Sequence, residues 1–163
     1  MNRSYKYLFA VAISPLLLAL APVRSSAQDS SIENAITGKS YVFHAQTAIP
    51  QAGGARHLTT DYTLKVEKNV LISDLPFFGR AYSIPYGGGN GGFNFTSQQF
   101  DYTVAPRKKG GWQIDIKPHD VQDFREFILT VSSNGYATLQ ANSNNRQPIS
   151  FTGVVNAPAE VRR

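Results

Sequence analysis

The chain has three histidines, His44, His57 and His119, and no cysteine. No two of the histidines stand two or four residues apart, so neither a strand face nor a helix turn gathers a pair onto one metal ion. His119 with Asp120 and Asp123 is the one stretch where imidazole and carboxylates crowd together, and the adjacent Pro118 makes it read as a surface loop. Without cysteine there is no disulfide, thiolate nucleophile, Cys-ligated zinc or lipid-modified cysteine. No serine stands in G-x-S-x-G or beside a convincing base. Asp101 and Asp115 alternate with Phe100, Tyr102, Ile114 and Ile116, so both belong to polar strand faces, where they serve solubility. Gly87, Gly89 and Gly92 have the G-x-G-x-x-G spacing, but Phe93-Asn94-Phe95-Thr96 follows as a strand where a dinucleotide site needs a helix. The expectation is a protein with no catalytic residues, no metal ligands and no cofactor.

Aromatic residues are the better candidates. Phe43, Tyr82, Tyr86, Phe93, Phe95, Tyr102 and Trp112, with Phe127, fall on alternating stripes expected to face one interior. Tyr and Trp pair an apolar body with a hydrogen-bonding handle, which suits a small apolar or amphipathic ligand. The competing reading is that the rings simply fill the interior. Phe77-Phe78-Gly79-Arg80 is a second candidate, an interaction rim. Two adjacent rings cannot both face inward on a regular strand, so one is expected at a rim beside Arg80. The bland alternative has both rings capping the end of the fold and Arg80 paired with an acid such as Asp74.

The elements that would position these residues are strands. Ser30 with Glu33 has capping-box spacing, Ile32, Ala35 and Ile36 share a helical face, and Gly38 is a stop signal, which predicts a short opening helix. The period then becomes two. Tyr41, Phe43 and Ala45 form one stripe; Tyr62, Leu64 and Val66 another; Val70 and Ile72 follow a tight turn at Lys68-Asn69. Further stripes are Tyr82, Ile84 and Tyr86; Phe93 and Phe95; Phe100, Tyr102 and Val104; Trp112, Ile114 and Ile116; Phe127, Leu129 and Val131; and Tyr136 to Ala141. Ile149, Phe151 and Gly153 make the last. Asn134-Gly135 predicts a type I′ hairpin. No helix of crossover length separates the strands, which excludes parallel architecture. The expected fold is all-β: an antiparallel meander closed into a barrel of about eight strands, with the short helix at one end. A β-sandwich is the alternative. An outer-membrane barrel fits less well, because several strands are short and carry Lys, Glu and Asp on their second face.

Residues 1–27 read as a signal peptide. Arg3 and Lys6 precede an apolar run from Leu8 to Ala21, and Ser25-Ser26-Ala27 offers small residues before a cut at Gln28. The run is too short to span a bilayer, so the mature chain is expected to have no membrane span and to be periplasmic or secreted. Residues 28–155 would form one barrel domain, followed by a tail at 156–163. The net charge of +5 includes Arg3, Lys6 and Arg24, so the mature chain would carry +2. That is not the concentrated basic face of a nucleic-acid binder, and Arg107-Lys108-Lys109 reads as a solvated hairpin tip.

The stretch Leu75-Pro76-Phe77-Phe78-Gly79-Arg80-Ala81-Tyr82, the glycine cluster and Gly92-Phe93-Asn94-Phe95 together resemble a family of secreted bacterial proteins of unassigned function. Gly111-Trp112, Ser133-Asn134-Gly135 and Asn145-Arg146-Gln147-Pro148-Ile149 extend the likeness over residues 32–155. The resemblance implies a lipocalin-like barrel and an exported protein. Some members begin with a lipid-anchored cysteine, which this chain lacks. Two functions follow as expectations: a carrier of a small hydrophobic or amphipathic ligand, or an envelope protein-interaction module that uses the barrel as scaffold. N-terminal sequencing of the exported protein is expected to start at Gln28; an intact Met1 on a membrane-bound chain would overturn the reading of the leader.

Overall fold

The computed structural model describes residues 25–82 and 91–157, with side chains from Ser30 onward. One helix, α1 (Ser25–Thr37), leads into nine strands: β1 (Ser40–Pro50), β2 (Arg56–Glu67), β3 (Val70–Leu75), β4 (Phe93–Ser97), β5 (Phe100–Pro106), β6 (Trp112–Pro118), β7 (Phe124–Val131), β8 (Tyr136–Ser143) and β9 (Ile149–Asn156). They form one sheet in the order β4-β3-β2-β1-β9-β8-β7-β6-β5, with every neighbouring pair antiparallel. A single sheet curled into a nearly closed barrel replaces the sandwich alternative.

The closure has a simple cause. Nine alternating strands leave the two outermost, β4 and β5, running in the same sense. Only Gln98 and Gln99 separate them. They are two halves of one bent strand, the first half paired with β3 and the second with β6, so the barrel has in effect eight staves. The bend is held by side chains. Ser97 donates its hydroxyl to Asp120, whose other carboxylate oxygen accepts the Gln98 N–H at 2.8 Å. The His119 N–H donates to the Gln99 carbonyl at 2.8 Å.

Alternation places the apolar stripes inside. Tyr41, Phe43, Leu64, Leu71, Ile114, Ile116, Phe127, Leu129, Leu139 and Phe151 are fully buried. The outward faces carry polar and charged pairs: His44 with Asp61 at 2.8 Å, Lys65 with Glu67 at 2.6 Å, His119 with Asp101 at 3.0 Å. Such exposed pairs contribute little stability and mainly keep the surface wet. No described helix is long and apolar enough to cross a membrane.

Several local expectations are corrected. The helix starts at Ser25, so Ser30 lies inside it rather than capping it. Its buried face is the expected one, Ile32, Ala35 and Ile36. The helix ends at Thr37, directly before Gly38 as expected, and the left-handed residue there is Lys39, at φ 50°. The Lys68-Asn69 turn stands, with Lys68 at φ 33° and Glu67 paired to Val70. At the β7–β8 turn only Gly135 has positive φ, at 86°. Ser132 N–H bonds the Tyr136 carbonyl and Gly135 N–H the Ser132 carbonyl, both at 2.9 Å. This is a three-residue loop with glycine in the left-handed position, not a type I′ turn. Asn134 acts instead through its side chain, its Oδ1 accepting from the Ser132 hydroxyl at 2.6 Å. β1 and β2, of 11 and 12 residues, are longer than their stripes implied. Against β9 a bulge at Gln46, between Ala45 and Thr47, resets the alternation midway along β1, and against β1 residues 58–61 of β2 stand between the partners of Thr47 and Ala45.

The bulge dictates one residue across from it. A β-carbon on Gly153 would lie 1.9 Å from the His44 carbonyl oxygen. Gly153→Ala should therefore cost about 1–3 kcal/mol, because backbone, not a flexible side chain, must move. Gly91→Ala, which meets open space, should stay within about 0.5 kcal/mol. Chemical denaturation of the two variants checks this; an unchanged midpoint for Gly153→Ala would refute the close approach.

Candidate functional site

The candidate residues divide between the two ends of the barrel. At the end carrying α1, Tyr102 on β5 donates its hydroxyl to the Ile36 carbonyl at 2.9 Å and lies 3.3 Å from the Tyr41 hydroxyl. The Lys39 ammonium stands 5.1 Å from the Tyr102 ring centroid. Burial pushes the Tyr102 phenol up to about 12. It raises Tyr41 well above the ordinary range, with the Tyr102 charge and hydrogen bond adding to it. Tyr102 is thus committed to pinning the helix. Trp112, half-buried beside Val131 and Pro106, packs on the core at the start of β6. Phe43 is fully buried near the middle of β1.

The opposite end gathers the remaining rings. Phe93 and Phe95 on β4 meet Phe124 and Phe127 on β7. Ring centroids are 5.3 Å apart for Phe93–Phe124, 5.0 Å for Phe95–Phe124 and 4.2 Å for Phe124–Phe127. Phe77 adds an edge-on contact to Phe93 at 5.6 Å. Over them runs the strap 76–82, tied to the loop between β8 and β9. The Tyr82 N–H donates to the Asn145 carbonyl at 2.7 Å, the Gln147 N–H to the Arg80 carbonyl at 3.2 Å, and Ala81 bridges Arg146. Arg146 is the keystone here. Its guanidinium lies 5.3 Å from the Phe77 centroid and 5.4 Å from Phe93, and its Nη1 donates to the Gly92 carbonyl at 2.9 Å. Arg56 lies over Phe78 at 5.0 Å.

Phe77 and Phe78 therefore both pack on the core and cap this end. Arg80 is exposed and makes no ion pair with Asp74 or any other described acid. Tyr82 is corrected. It is 71% exposed and lies on the strap, not on an inward strand stripe. Tyr86, and the rest of the expected stripe, lie outside the described residues. His119, Asp120 and Asp123 each have other partners. His119 pairs with Asp101, Asp120 holds the strand bend, and Asp123 accepts from Asn145 Nδ2 at 2.6 Å.

Two recesses open at this end. One, of about 130 Å³, is walled by Phe93, Phe95, Val121 and Phe124, with Asp123, Ser143 and Arg146 at its mouth. The other, of about 390 Å³, runs between Tyr62, Pro76 and Phe77 and shares Gly92 and Asn94 with the first. Both open outward, not into the barrel axis, which is occupied by buried side chains. Sequence periodicity missed Arg146, Phe124 and Arg56. Phe124 was missed because a register shift between Phe124 and Glu126 puts Phe124 and Phe127 on the same side despite odd spacing. Arg146 stood only within the resemblance, in Asn145-Arg146-Gln147-Pro148.

The description "Domain of unknown function (DUF4251)" matches residues 24–155. The chain belongs to the DUF4251 family. A member of that family from Bacteroides eggerthii DSM 20697, known from a crystal structure, is similar to it at 17% identity and a TM-score of 0.60. The match covers 82% of this chain and 89% of the other. At that identity the likeness speaks for the fold alone. No curated protein matches the chain.

The tyrosine pair generates a pH dependence. Both phenols titrate higher folded than unfolded, so their contribution is complete below about pH 10 and is lost as pH rises toward 12. Denaturation midpoints measured between these pH values should fall for the native chain and fall less steeply for Tyr102→Phe.

Proposed function

We propose that this DUF4251 protein is an exported, non-catalytic binding protein that takes a small amphipathic molecule with an anionic group at the rim of the barrel. The observation that carries the reading is the recess of Phe93, Phe95 and Phe124 under Arg146. Its walls are aromatic and its mouth is polar, the division a small amphipathic ligand needs. Three guanidinium groups, Arg56, Arg80 and Arg146, belong to this end, and Arg80 has no ion-pair partner among the described residues, which favours a carboxylate, sulfonate or phosphate head. The leader at residues 1–27 supports export. The filled axis moves the site from the lumen to the rim; Phe43 and Trp112 then belong to the scaffold.

A second reading, an envelope protein-interaction module, draws on the exposure of Tyr82 beside Arg80 on the same strap. The two are separated with anilinonaphthalene sulfonate, which carries an aromatic body and one anionic group. Folded protein should bind it at one site, with affinity reduced roughly tenfold in Arg146→Gln and Arg80→Gln, and unchanged in Lys65→Ala on the outer face. Native mass spectrometry of protein from its own host should show a retained small molecule. A folded protein that binds no probe and carries no ligand would overturn the small-molecule reading in favour of the interaction module.

A further inference from the structure

The outer wall of β7, β8, β9 and β1 carries a concavity of about 400 Å³ that owes nothing to the rim. Thr130 lies directly opposite Thr138, Thr138 opposite Thr152, and Thr152 opposite Thr47. Four threonines thus form one row across four strands. Three of them line the concavity with Gln46, Arg107 and Tyr136, and Tyr136 is 64% exposed.

Some outer-face polar side chains pair with one another: Gln113 with Asp115, Gln140 with Asn142, Asn142 with Glu126, His44 with Asp61. The hydroxyls of Thr130, Thr138 and Thr152, the Gln46 amide and the Arg107 guanidinium have no hydrogen-bond partner among the described residues. Each threonine hydroxyl both donates and accepts, as does the glutamine amide, so the floor is an uncharged array serving both roles. Neighbouring strands set the hydroxyls at intervals of about 5 Å. That matches hydroxyl groups on opposite sides of a hexopyranose ring. Among the described residues no carboxylate lines the space, and Arg107 is its one charge. Tyr136 offers an aromatic surface to the apolar C–H face of a sugar.

We infer that this concavity is a carbohydrate-binding site for one or two rings of a neutral oligosaccharide. The threonine row and Gln46 hydrogen-bond ring hydroxyls, Tyr136 stacks on a pyranose, and Arg107 donates to a hydroxyl or ring oxygen. The volume lies within the range of small-molecule sites. The site is independent of the rim.

Titration calorimetry and saturation-transfer NMR on the mature protein test this, with maltotriose, cellotriose, mannotriose and chitotriose as probes. At least one should bind at a single site with millimolar or better affinity. Tyr136→Ala and Thr138→Val should each weaken it about tenfold or more, whereas Tyr136→Phe and the rim variant Arg146→Gln should not. Thr138→Val keeps shape and strand propensity and removes only the hydroxyl, so a loss there with an unchanged melting curve isolates the hydrogen bond. The inference fails if no probe binds, if binding survives both substitutions, or if this face instead holds two copies together in a dimer that Tyr136→Ala dissociates.

Discussion

The barrel closes at one bend, between β4 and β5. Nine antiparallel strands could lie open with two bare edges, each a template for unwanted pairing. They do not, because the chain passes from β4 to β5 in two residues and belongs to both margins of the sheet. Asp120 braces that passage by accepting from the Ser97 hydroxyl and the Gln98 N–H. These bonds favour the ionised carboxyl and hold Asp120 below the ordinary carboxylate range, the Ser97 hydroxyl foremost. Stability drawn from the corner is therefore present above the usual Asp pKa and is lost as pH falls below it.

Closure by a bent strand also distributes function. The axis is packed with apolar side chains from all sides, so the ends and the outer wall remain for binding. At one end α1 is docked through Ile32, Ala35 and Ile36 and pinned by Tyr102. At the other, among the described residues, the stack of Phe77, Phe93, Phe124 and Phe127 is covered by the strap 76–82 with Arg146. Arg146 serves both purposes at that end. Its planar group stacks on two rings while one N–H satisfies the Gly92 carbonyl, an arrangement that lysine could not reproduce. Arg146 also lines the aromatic recess.

Most of the barrel was legible in the chain because strand alternation is local. Tyr41, Phe43, Leu64, Val66, Ile114, Ile116, Leu129 and Phe151 stand at period-two positions, and all are buried. The reading failed wherever the period breaks. The bulge at Gln46 and the register shift beside Phe124 each insert a residue that a stripe cannot count. Asn134-Gly135 carries the letters of a type I′ turn, yet its loop has three residues, because Ser132 pairs with Tyr136 and draws Ser133 into the loop. Tyr82 alternates with Ile84 and Tyr86 in the sequence, but its neighbours bond to the β8–β9 loop rather than to a sheet edge.

Residue order alone determined the class of fold, the strand faces and the tight turn at Lys68-Asn69, since each depends on neighbours within a few positions. Tertiary structure alone decided what the faces enclose and which side chains meet. Whether eight staves leave a lumen is a matter of summed side-chain volume against barrel radius, and no single stripe contains that sum. Arg146 reaches Phe77 and Phe93 across more than fifty residues of chain, and the threonine row exists only because β7, β8, β9 and β1 lie in a register that their own sequences do not state. Such contacts follow from strand register and from how the sheet curls on itself.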